Sequence, residues 1–370
     1  MIYLDYQATT PVAPEVAAAM RPWIEEKFAN PHSPSKWGRE AAAAIEVARA
    51  QVERALGLDG GHFAFTSGAT EALNWALKGT FERSKRRKLV TVATEHAAVL
   101  DTAEWLEMQG VEVVRLPVSS EGLVDLDMAE ASIGPDTALV AIMLVNNEIG
   151  VIQQVAEFAR MAHQGGALML CDAVQGFGRM AIPEGPDLVA VSAHKIHAPK
   201  GIGGLWMRTG AEPAPLIHGG GQEQGIRSGT LAPALCVGLG EAARLAVERR
   251  DADAIHVEKL FEIALATLGQ GWNINGSATS RYHGNLNLNR EGLDGARLIS
   301  DMRNIAFSLG SACASGSGRP SHVLRAIGLT DRQARSSIRL GFGRYTGEEE
   351  LASACRRINE AAHEQRVLPA

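Results

Sequence analysis

The chain has 370 residues, of which 46% are hydrophobic and 21% charged, and its formal net charge is −6 at pH 7. These values are typical of a globular protein with room for about two domains, and the acidic balance gives no reason to expect nucleic acid or an anionic membrane as a partner. No stretch reaches the roughly 18 uninterrupted apolar residues of a membrane span, and the first residues lack the pattern of a secretory leader. The cysteines at 171, 236, 313 and 355 form no C-x-x-C pair, so we expect a cytoplasmic protein with reduced thiols.

Short apolar segments rich in Val, Ile, Leu and Ala alternate with longer amphipathic segments through much of the chain. Such continuous apolar runs are typical of strands that are buried on both faces. Their alternation with helices indicates an α/β fold with a mostly parallel sheet, in which ligands bind at the carboxyl ends of the strands. The predicted strands are 62–66, 89–93, 111–116, 138–144, 167–171, 188–192 and 203–207, and the predicted helices are 69–83, 97–109 and 153–163.

The pattern changes after residue 230. A long helical pattern covers 231–268, with Pro233 as its only interruption, and an alternating strand follows at 284–289. A final helix is predicted from Gly347 onward. This change predicts a second, smaller α+β domain that packs closely against the first.

The segment Thr66-Ser67-Gly68-Ala69-Thr70-Glu71 ends the first core strand and opens a helix. Small residues at a helix start expose backbone amides, and the helix dipole favours an anion there, so the amides of 68–70 and the Thr70 hydroxyl could hold a phosphate. The alternative is ordinary capping of the helix by Ser67 or Thr66, with Glu71 in the first turn.

His96 and Asn147 each follow a further predicted strand. A histidine at such a junction can stack on a planar ring and exchange protons with a substrate, or it can simply cap the next helix. Asn147 offers an amide donor for a cofactor ring oxygen or a substrate carboxylate, or belongs to an Asn-rich turn.

Asp172 and Lys195 stand at two further strand ends, in Asp172-Ala173-Val174-Gln175 and Ser192-Ala193-His194-Lys195. Pyridoxal 5'-phosphate (PLP) needs this pair of groups. A lysine amine forms a Schiff base with its aldehyde, and an aspartate pairs with its protonated pyridine nitrogen and keeps the ring an electron sink. The strand-end residues together therefore favour a PLP site over coincidence.

Cys313 lies in a segment, 308–320, whose glycines, serines and alanines predict a mobile exposed loop. Free cysteines are usually buried, so an exposed thiol indicates a chemical role. The other three cysteines fall in predicted strands or helices and are assigned to packing. Arg339 interrupts an apolar strand, which indicates either a bidentate carboxylate clamp or an internal salt bridge. Glycine-rich residues 218–230 allow close approach to a ligand or a second subunit, or form a flexible turn.

As a set, these motifs resemble the cysteine desulfurases, a branch of the class V aminotransferases with the type I PLP-dependent transferase fold. The likeness runs from Leu4-Asp5-Tyr6-Gln7-Ala8-Thr9-Thr10-Pro11 to Gly343-Arg344-Tyr345-Thr346, and the context of Cys313 is similar to the first of the two desulfurase groups. It implies a seven-stranded, mostly parallel sheet in a large PLP-binding domain of residues 16–245. Residues 1–15 and 246–370 would form the small domain, which carries the catalytic cysteine loop at about 309–320.

The resemblance also implies a role for each site residue. Lys195 would be the Schiff-base lysine, Asp172 the partner of the pyridine nitrogen, and Gln175 the donor to the ring oxygen. His96 would lie over the ring, Asn147 would contact cofactor and substrate, and Arg339 would clamp the substrate carboxylate. Ala69, Thr70, Ser192 and His194 would hold the phosphate, with Thr230 added from the other subunit of a homodimer. Family members commonly have Tyr-Gly where this chain has His197-Ala198.

The implied reaction is the removal of sulfur from L-cysteine. Lys195 would move the Cα proton, and the Cys313 thiolate would attack the substrate sulfur, which gives L-alanine and a Cys313 persulfide. The persulfide would pass to an acceptor or an iron–sulfur scaffold, and Cys313 could transiently ligate an iron–sulfur cluster. The alternatives are a class V transaminase, a selenocysteine lyase, a cysteine sulfinate desulfinase, or a non-catalytic assembly subunit that uses the loop for docking.

Overall fold

The computed structural model of the chain describes residues 1–309 and 320–367. Within these ranges the strands are β1 (Ile2–Tyr3), β2 (Gly61–Thr66), β3 (Lys88–Val92), β4 (Glu112–Leu116), β5 (Thr137–Met143), β6 (Leu168–Asp172), β7 (Leu188–Ser192), β8 (Gly203–Arg208), β9 (Asn273–Ile274), β10 (Asn285–Asn289), β11 (Ile305–Ala306) and β12 (Ser337–Gly341). The helices are α1 (Pro14–Glu25), α2 (Lys36–Leu56), α3 (Ala69–Arg83), α4 (Ala97–Met108), α5 (Leu126–Ser132), α6 (Val155–Gln164), α7 (Pro233–Leu268), α8 (Gly295–Asp301), α9 (His322–Ala326), α10 (Asp331–Arg335) and α11 (Glu348–Val367).

In the described part of the chain, seven strands form one large sheet in the order β2-β8-β7-β6-β5-β3-β4. Only β8 runs antiparallel to its neighbours, β2 and β7. Since β8 opposes both, β2 points the same way as β7 and as the parallel strands beyond it. The carboxyl ends of β2, β3, β5, β6 and β7 therefore lie at one edge of the sheet. The predicted α/β fold with a mostly parallel sheet is confirmed.

Both faces of this sheet are buried, which explains the continuous apolar runs. Along β5, Val140 and Ile142 belong to one hydrophobic cluster, whereas Leu139 and Ala141 belong to a second cluster on the opposite face. Successive side chains of a strand point to opposite faces, so a strand covered on both sides needs apolar residues at every position.

Helix α7 connects the large sheet to a second core. Leu239 and Leu245, in its first half, pack in the core of the large sheet, whereas Leu260 and Phe261, in its second half, pack in a separate cluster. That second cluster contains strands β10 and β12 and helix α11. The division into domains at 245/246 stays a prediction. No helix within the described ranges is both long enough and apolar enough to cross a membrane.

Candidate active site

A cavity of about 790 Å³ lies at the carboxyl edge of the large sheet. We call it the strand-end cavity. Ten of the twelve residues singled out from the sequence line it. They are Ala69, Thr70, His96, Asn147, Asp172, Gln175, Ser192, His194, Lys195 and Arg339. The fold brings them together because each of the first nine follows or ends a strand that points to the same edge.

The other two predicted residues are not placed in this cavity. Thr230 is exposed in the loop before α7 and does not line it. Cys313 lies outside the described residues. The three remaining cysteines, at 171, 236 and 355, are fully buried, as predicted for packing residues.

Lys195 ends a 3-10 turn, Ala193–Lys195, directly after β7. Its Nζ atom donates hydrogen bonds to the backbone carbonyl oxygens of Gln7 and Ala8, the second at 2.8 Å. The amino-terminal segment thus holds the lysine amine at the cavity wall. Arg179 supports the turn from behind, because its Nη2 donates to the Lys195 carbonyl oxygen at 3.0 Å.

Asp172 is the last residue of β6 and is only 6% exposed. Its Oδ1 accepts a hydrogen bond from the Val174 amide at 3.0 Å. Burial raises the pKa of the Asp172 carboxyl, while nearby His96 and Lys195 act in the opposite direction. A buried carboxylate in this position is suited to a cationic partner, since the partner would offset the cost of removing the charge from water.

The amino terminus of α3 has no side-chain cap. Its N-cap residue is Gly68, and the amide of Ser67 donates instead to Glu71 Oε2 at 2.7 Å. Capping by Ser67 is therefore not found, whereas Thr66, the other candidate, accepts a hydrogen bond from the Gly68 amide at 3.4 Å and leaves the amides of Ala69 and Thr70 without a side-chain cap. Gly203 packs closely against this turn. A Cβ atom at position 203 would lie only 2.8 Å from Gly68 Cα, so a larger residue would displace the turn. The uncapped amides and the helix dipole make this corner of the cavity suited to a phosphate.

His194 contributes a neutral imidazole beside this corner. Burial, together with the nearby charges of Lys195 and Lys200, lowers its pKa to about 4. Its Nδ1 lies 3.2 Å from Thr9 Oγ1. At neutral pH the ring therefore serves as a hydrogen-bonding group without a charge.

His96 has the capping role that the sequence offered as one of two alternatives, and its position leaves the other role open. Its Nδ1 accepts a hydrogen bond from the Ala98 amide at 3.1 Å, so the side chain caps α4. The residue also lines the cavity. Because Nδ1 is an acceptor, the neutral ring carries its proton on Nε2, and the cap fixes the orientation of the ring.

Both the nitrogen and the oxygen of the Gln175 side-chain amide are hydrogen-bonded. Its Nε2 donates to the Gln7 carbonyl oxygen at 3.0 Å, and its Oε1 accepts from Arg179 Nη1 at 2.6 Å. The bond from Arg179 fixes which end of the amide is the donor. The second hydrogen on Nε2 is still available for a ligand oxygen.

Arg339 forms an internal salt bridge and also lines the cavity. Its Nη2 lies 2.8 Å from Asp5 Oδ1, and its Nη1 donates to the Asn147 carbonyl oxygen at 2.9 Å. The side chain is only 1% exposed, and its Nε has no partner among the described residues. The salt bridge thus orients a guanidinium that borders the cavity.

Two residues near the cavity were assigned no role from the sequence. Glu95 is fully buried next to His96. Its Oε1 accepts from the Met143 amide at 2.8 Å, and burial raises its pKa well above the usual range, with a smaller contribution from Asp172. His322 lines the cavity and lies 3.0 Å from the Glu95 carbonyl oxygen. Glu95 could have been recognised in the sequence as a charged residue shortly after a buried strand. Nothing in the local pattern indicates a role for His322.

The residues of the strand-end cavity fit PLP as a set. The uncapped helix terminus suits its phosphate, the buried Asp172 carboxyl suits a protonated ring nitrogen, and Lys195 offers an amine. Among the described residues, no group of three His, Cys, Asp or Glu side chains could hold a metal ion.

With this site and fold, the chain belongs to the class V aminotransferase family, whose model matches residues 2–353. It is similar throughout to curated proteins named Cysteine desulfurase IscS. The protein of Rickettsia bellii is 43% identical over 374 residues, which cover 97% of this chain and 91% of that protein. The protein of Rickettsia akari is 44% identical over 361 residues, covering 95% and 88%.

Solved structures give the same result. A structure described as a NifS-like protein superposes with a TM-score of 0.89 at 35% identity, covering 98% of this chain and 99% of that one. A structure described as SspA in complex with cysteine gives a TM-score of 0.84 at 35% identity, covering 94% and 100%. The family predicted from the sequence is confirmed.

Proposed function

We propose that the chain is a cysteine desulfurase that uses PLP to remove sulfur from L-cysteine, with Cys313 as the first sulfur acceptor. The observation that carries the proposal is the meeting of Lys195, Asp172 and the uncapped start of α3 in one cavity. The similarity to proteins named cysteine desulfurase supports the same reaction.

The cofactor would be held by residues at the ends of five strands, β2, β3, β5, β6 and β7. Lys195 would bind its aldehyde carbon, Asp172 its ring nitrogen, and Gln175 its ring oxygen. His96 would lie against the ring, and Asn147 would contact both cofactor and substrate. The phosphate would be bound by Ala69, Thr70, Ser192 and His194. Bound PLP supplies an electron sink that makes it easier to break bonds at the substrate Cα.

The protein's own groups would then handle the substrate. Arg339 would bind the carboxylate of L-cysteine, and its salt bridge to Asp5 would keep the guanidinium in place. Lys195 Nζ, which the carbonyl oxygens of Gln7 and Ala8 hold at the cavity wall, would take up the Cα proton.

Sulfur transfer itself would belong to Cys313. Its thiolate would attack the substrate sulfur, so that a sulfur–sulfur bond forms while the bond between sulfur and Cβ breaks. The electron pair of the broken bond stays with the carbon, which takes a proton to give L-alanine. The resulting persulfide would serve an acceptor in iron–sulfur cluster or thio-cofactor assembly.

We also propose a homodimer in which Thr230 of each subunit completes the phosphate site of its partner. This arrangement would explain why Thr230 is exposed and does not line the cavity of its own subunit. The cytoplasmic location stays a prediction from composition.

The direct test is Cys313→Ala. We expect this variant to keep the visible absorbance of bound PLP and to lose production of alanine and sulfide from L-cysteine. Cys355→Ala is the matched control, because burial raises the pKa of that thiol to about 12 and leaves it unreactive. Undiminished turnover in Cys313→Ala would contradict the proposal. Transfer of the amino group to a keto acid by that variant would indicate a transaminase instead, and relative turnover on selenocysteine and cysteine sulfinate fixes the substrate preference.

A further inference from the structure

A second cavity, of about 200 Å³, shares Lys195 with the strand-end cavity but is otherwise lined by different residues. We call it the arginine cavity, because four arginines contribute to its wall together with two carboxylates. These are Arg179, Arg250, Arg281, Arg344, Asp253 and Glu258. None of the roles proposed above uses this cavity.

Both carboxylates already have partners. Asp253 accepts bidentate hydrogen bonds from Arg344, and the shortest of them, from Nη2, is 2.6 Å long. Glu258 Oε2 lies 2.5 Å from His283 Nδ1. Asp253 is therefore neutralised by Arg344, whereas the charge of Glu258 is offset by His283 only when that imidazole is protonated.

Those arginines contact only neutral groups in the described part of the chain. Arg281 donates to three backbone carbonyl oxygens at 2.9–3.1 Å. Arg179 donates to the carbonyl oxygens of Gln175 and Lys195 and to the Gln175 side chain. Arg250 makes no ion pair with any described residue. The cavity wall thus carries a net positive charge, because three of its arginines make no ion pair with a described residue and Glu258 is a single carboxylate.

Three guanidinium nitrogens of this wall also lack hydrogen-bond partners among the described residues. They are Nε of Arg250, Nε of Arg281 and Nη1 of Arg344. Arg281 is only 5% exposed, and the side chain of Arg344 is 9% exposed. Burial lowers the pKa of Arg281 to about 10, and no nearby carboxylate opposes this effect. Buried charged donors without acceptors are costly, so they mark a place where a ligand with several acceptor oxygens gains free energy.

We propose that the arginine cavity binds one small oxyanion. Guanidinium groups bind oxyanions through directed, charge-assisted hydrogen bonds. The volume admits a tetrahedral ion such as sulfate or phosphate, or a short dicarboxylate, and is too small for a nucleotide. The site is separate from the phosphate corner at α3, which lies in the strand-end cavity.

The experiment is calorimetric titration of the PLP-loaded protein with sodium sulfate, sodium phosphate and sodium malonate at constant ionic strength. Loading with PLP fills the phosphate corner, and variants of the arginine cavity distinguish binding there from binding at Arg339 in the strand-end cavity. We expect saturable binding of at least one probe with one ion per subunit. Comparison of the three probes distinguishes a tetrahedral ion from a dicarboxylate.

Two variants locate the bound ion. Arg250→Gln removes one charge without breaking an ion pair between described residues, and Arg344→Lys keeps a cation for Asp253 but removes the unpartnered Nη1. We expect each to raise the dissociation constant about tenfold, the effect of losing one charge-assisted hydrogen bond. Arg179 is not suitable for the test, because it also supports Lys195 and Gln175.

Arg21→Gln, at an exposed arginine of α1, is the matched control and should bind the probe as the parent protein does. Circular dichroism establishes that each variant is folded. Absence of saturable binding with all three probes would overturn the proposal, as would an unchanged dissociation constant in both folded variants. These readouts do not depend on turnover, so failure here leaves the proposed desulfurase reaction untouched.

Discussion

The two cavities that share Lys195 differ in the kind of polar group that lines them. The strand-end cavity combines uncapped backbone amides, a neutral His194 and a buried carboxyl at Asp172. The arginine cavity offers mainly guanidiniums, whose carboxylate neighbours are already paired. A wall of mixed polarity suits a ligand that carries both an anionic and a cationic end, as PLP does, whereas a wall of one sign suits a simple anion.

Lys195 lines both cavities, and its replacement is expected to have the largest effect. We expect Lys195→Ala to lower alanine production from L-cysteine by about 10³-fold or more, because it removes the group that moves the Cα proton. Lys200→Ala is the control, since Lys200 also lines the strand-end cavity but is exposed. A loss smaller than about tenfold in Lys195→Ala would mean that another base does this work.

The carboxyl of Asp172 tests the mixed polarity of the strand-end cavity. Asp172→Asn keeps the size of the side chain and its hydrogen bond from Val174 but removes the charge. We expect turnover to fall by about 10²- to 10³-fold, the usual effect of removing one preorganised electrostatic partner. The protein without cofactor should lose no stability, because the raised pKa shows that burial already disfavours the charge. Urea unfolding of the cofactor-free variant measures this second part, and a clear loss of stability would contradict it.

Two variants separate the proposed role of Arg339 in binding the substrate carboxylate from its role in the salt bridge with Asp5. Arg339→Lys removes the planar guanidinium, and we expect KM for L-cysteine to rise about ten- to a hundredfold with a smaller change in kcat. Asp5→Asn breaks the same salt bridge but keeps the guanidinium at the cavity. An equal rise of KM in both variants would reduce Arg339 to a structural residue.

Glu95 concerns the support of the strand-end cavity, and its replacement is expected to change stability more than turnover. Its pKa is raised in the folded state, so folded and unfolded chains are both protonated at low pH, and the unfolded chain ionises first as pH rises. The free energy of unfolding therefore falls with pH by about 1.4 kcal/mol per unit until the folded-state pKa is reached. In Glu95→Gln this dependence disappears, so the variant should gain stability over the parent as pH increases.

Urea unfolding of the parent and Glu95→Gln at pH 4.5 and 7 measures this difference, with the exposed Glu26→Gln as the control. A constant difference between the two pH values would show that Glu95 does not titrate abnormally.

The sequence predicted the strand-end cavity well because its residues belong to local patterns. Strand β7 has the predicted bounds, and the segments that carry Asp172 and Lys195 follow buried strands directly. Helix α2 was not predicted, although two local signals mark it. Ser35 caps its start through a bond from the Gly38 amide, and Gly57 ends it with φ of 67°.

The arginine cavity could not be predicted in this way. Arg179, Arg250, Arg281 and Arg344 come from widely separated parts of the chain, and each is locally indistinguishable from a surface arginine. They meet because α7 runs from one hydrophobic core to the other. The same holds for His322, whose contact with Glu95 joins positions 227 residues apart.

The defining step of the proposed reaction is the transfer of sulfur from L-cysteine to Cys313. Mass spectrometry of the peptide that contains Cys313, taken after the PLP-loaded protein has reacted with L-cysteine, tests it most directly. We predict that this peptide gains the mass of one sulfur atom, that the gain disappears on reduction, and that the peptides of Cys171, Cys236 and Cys355 stay unchanged. Formation of alanine and sulfide with Cys313 unmodified throughout would contradict sulfur transfer to Cys313.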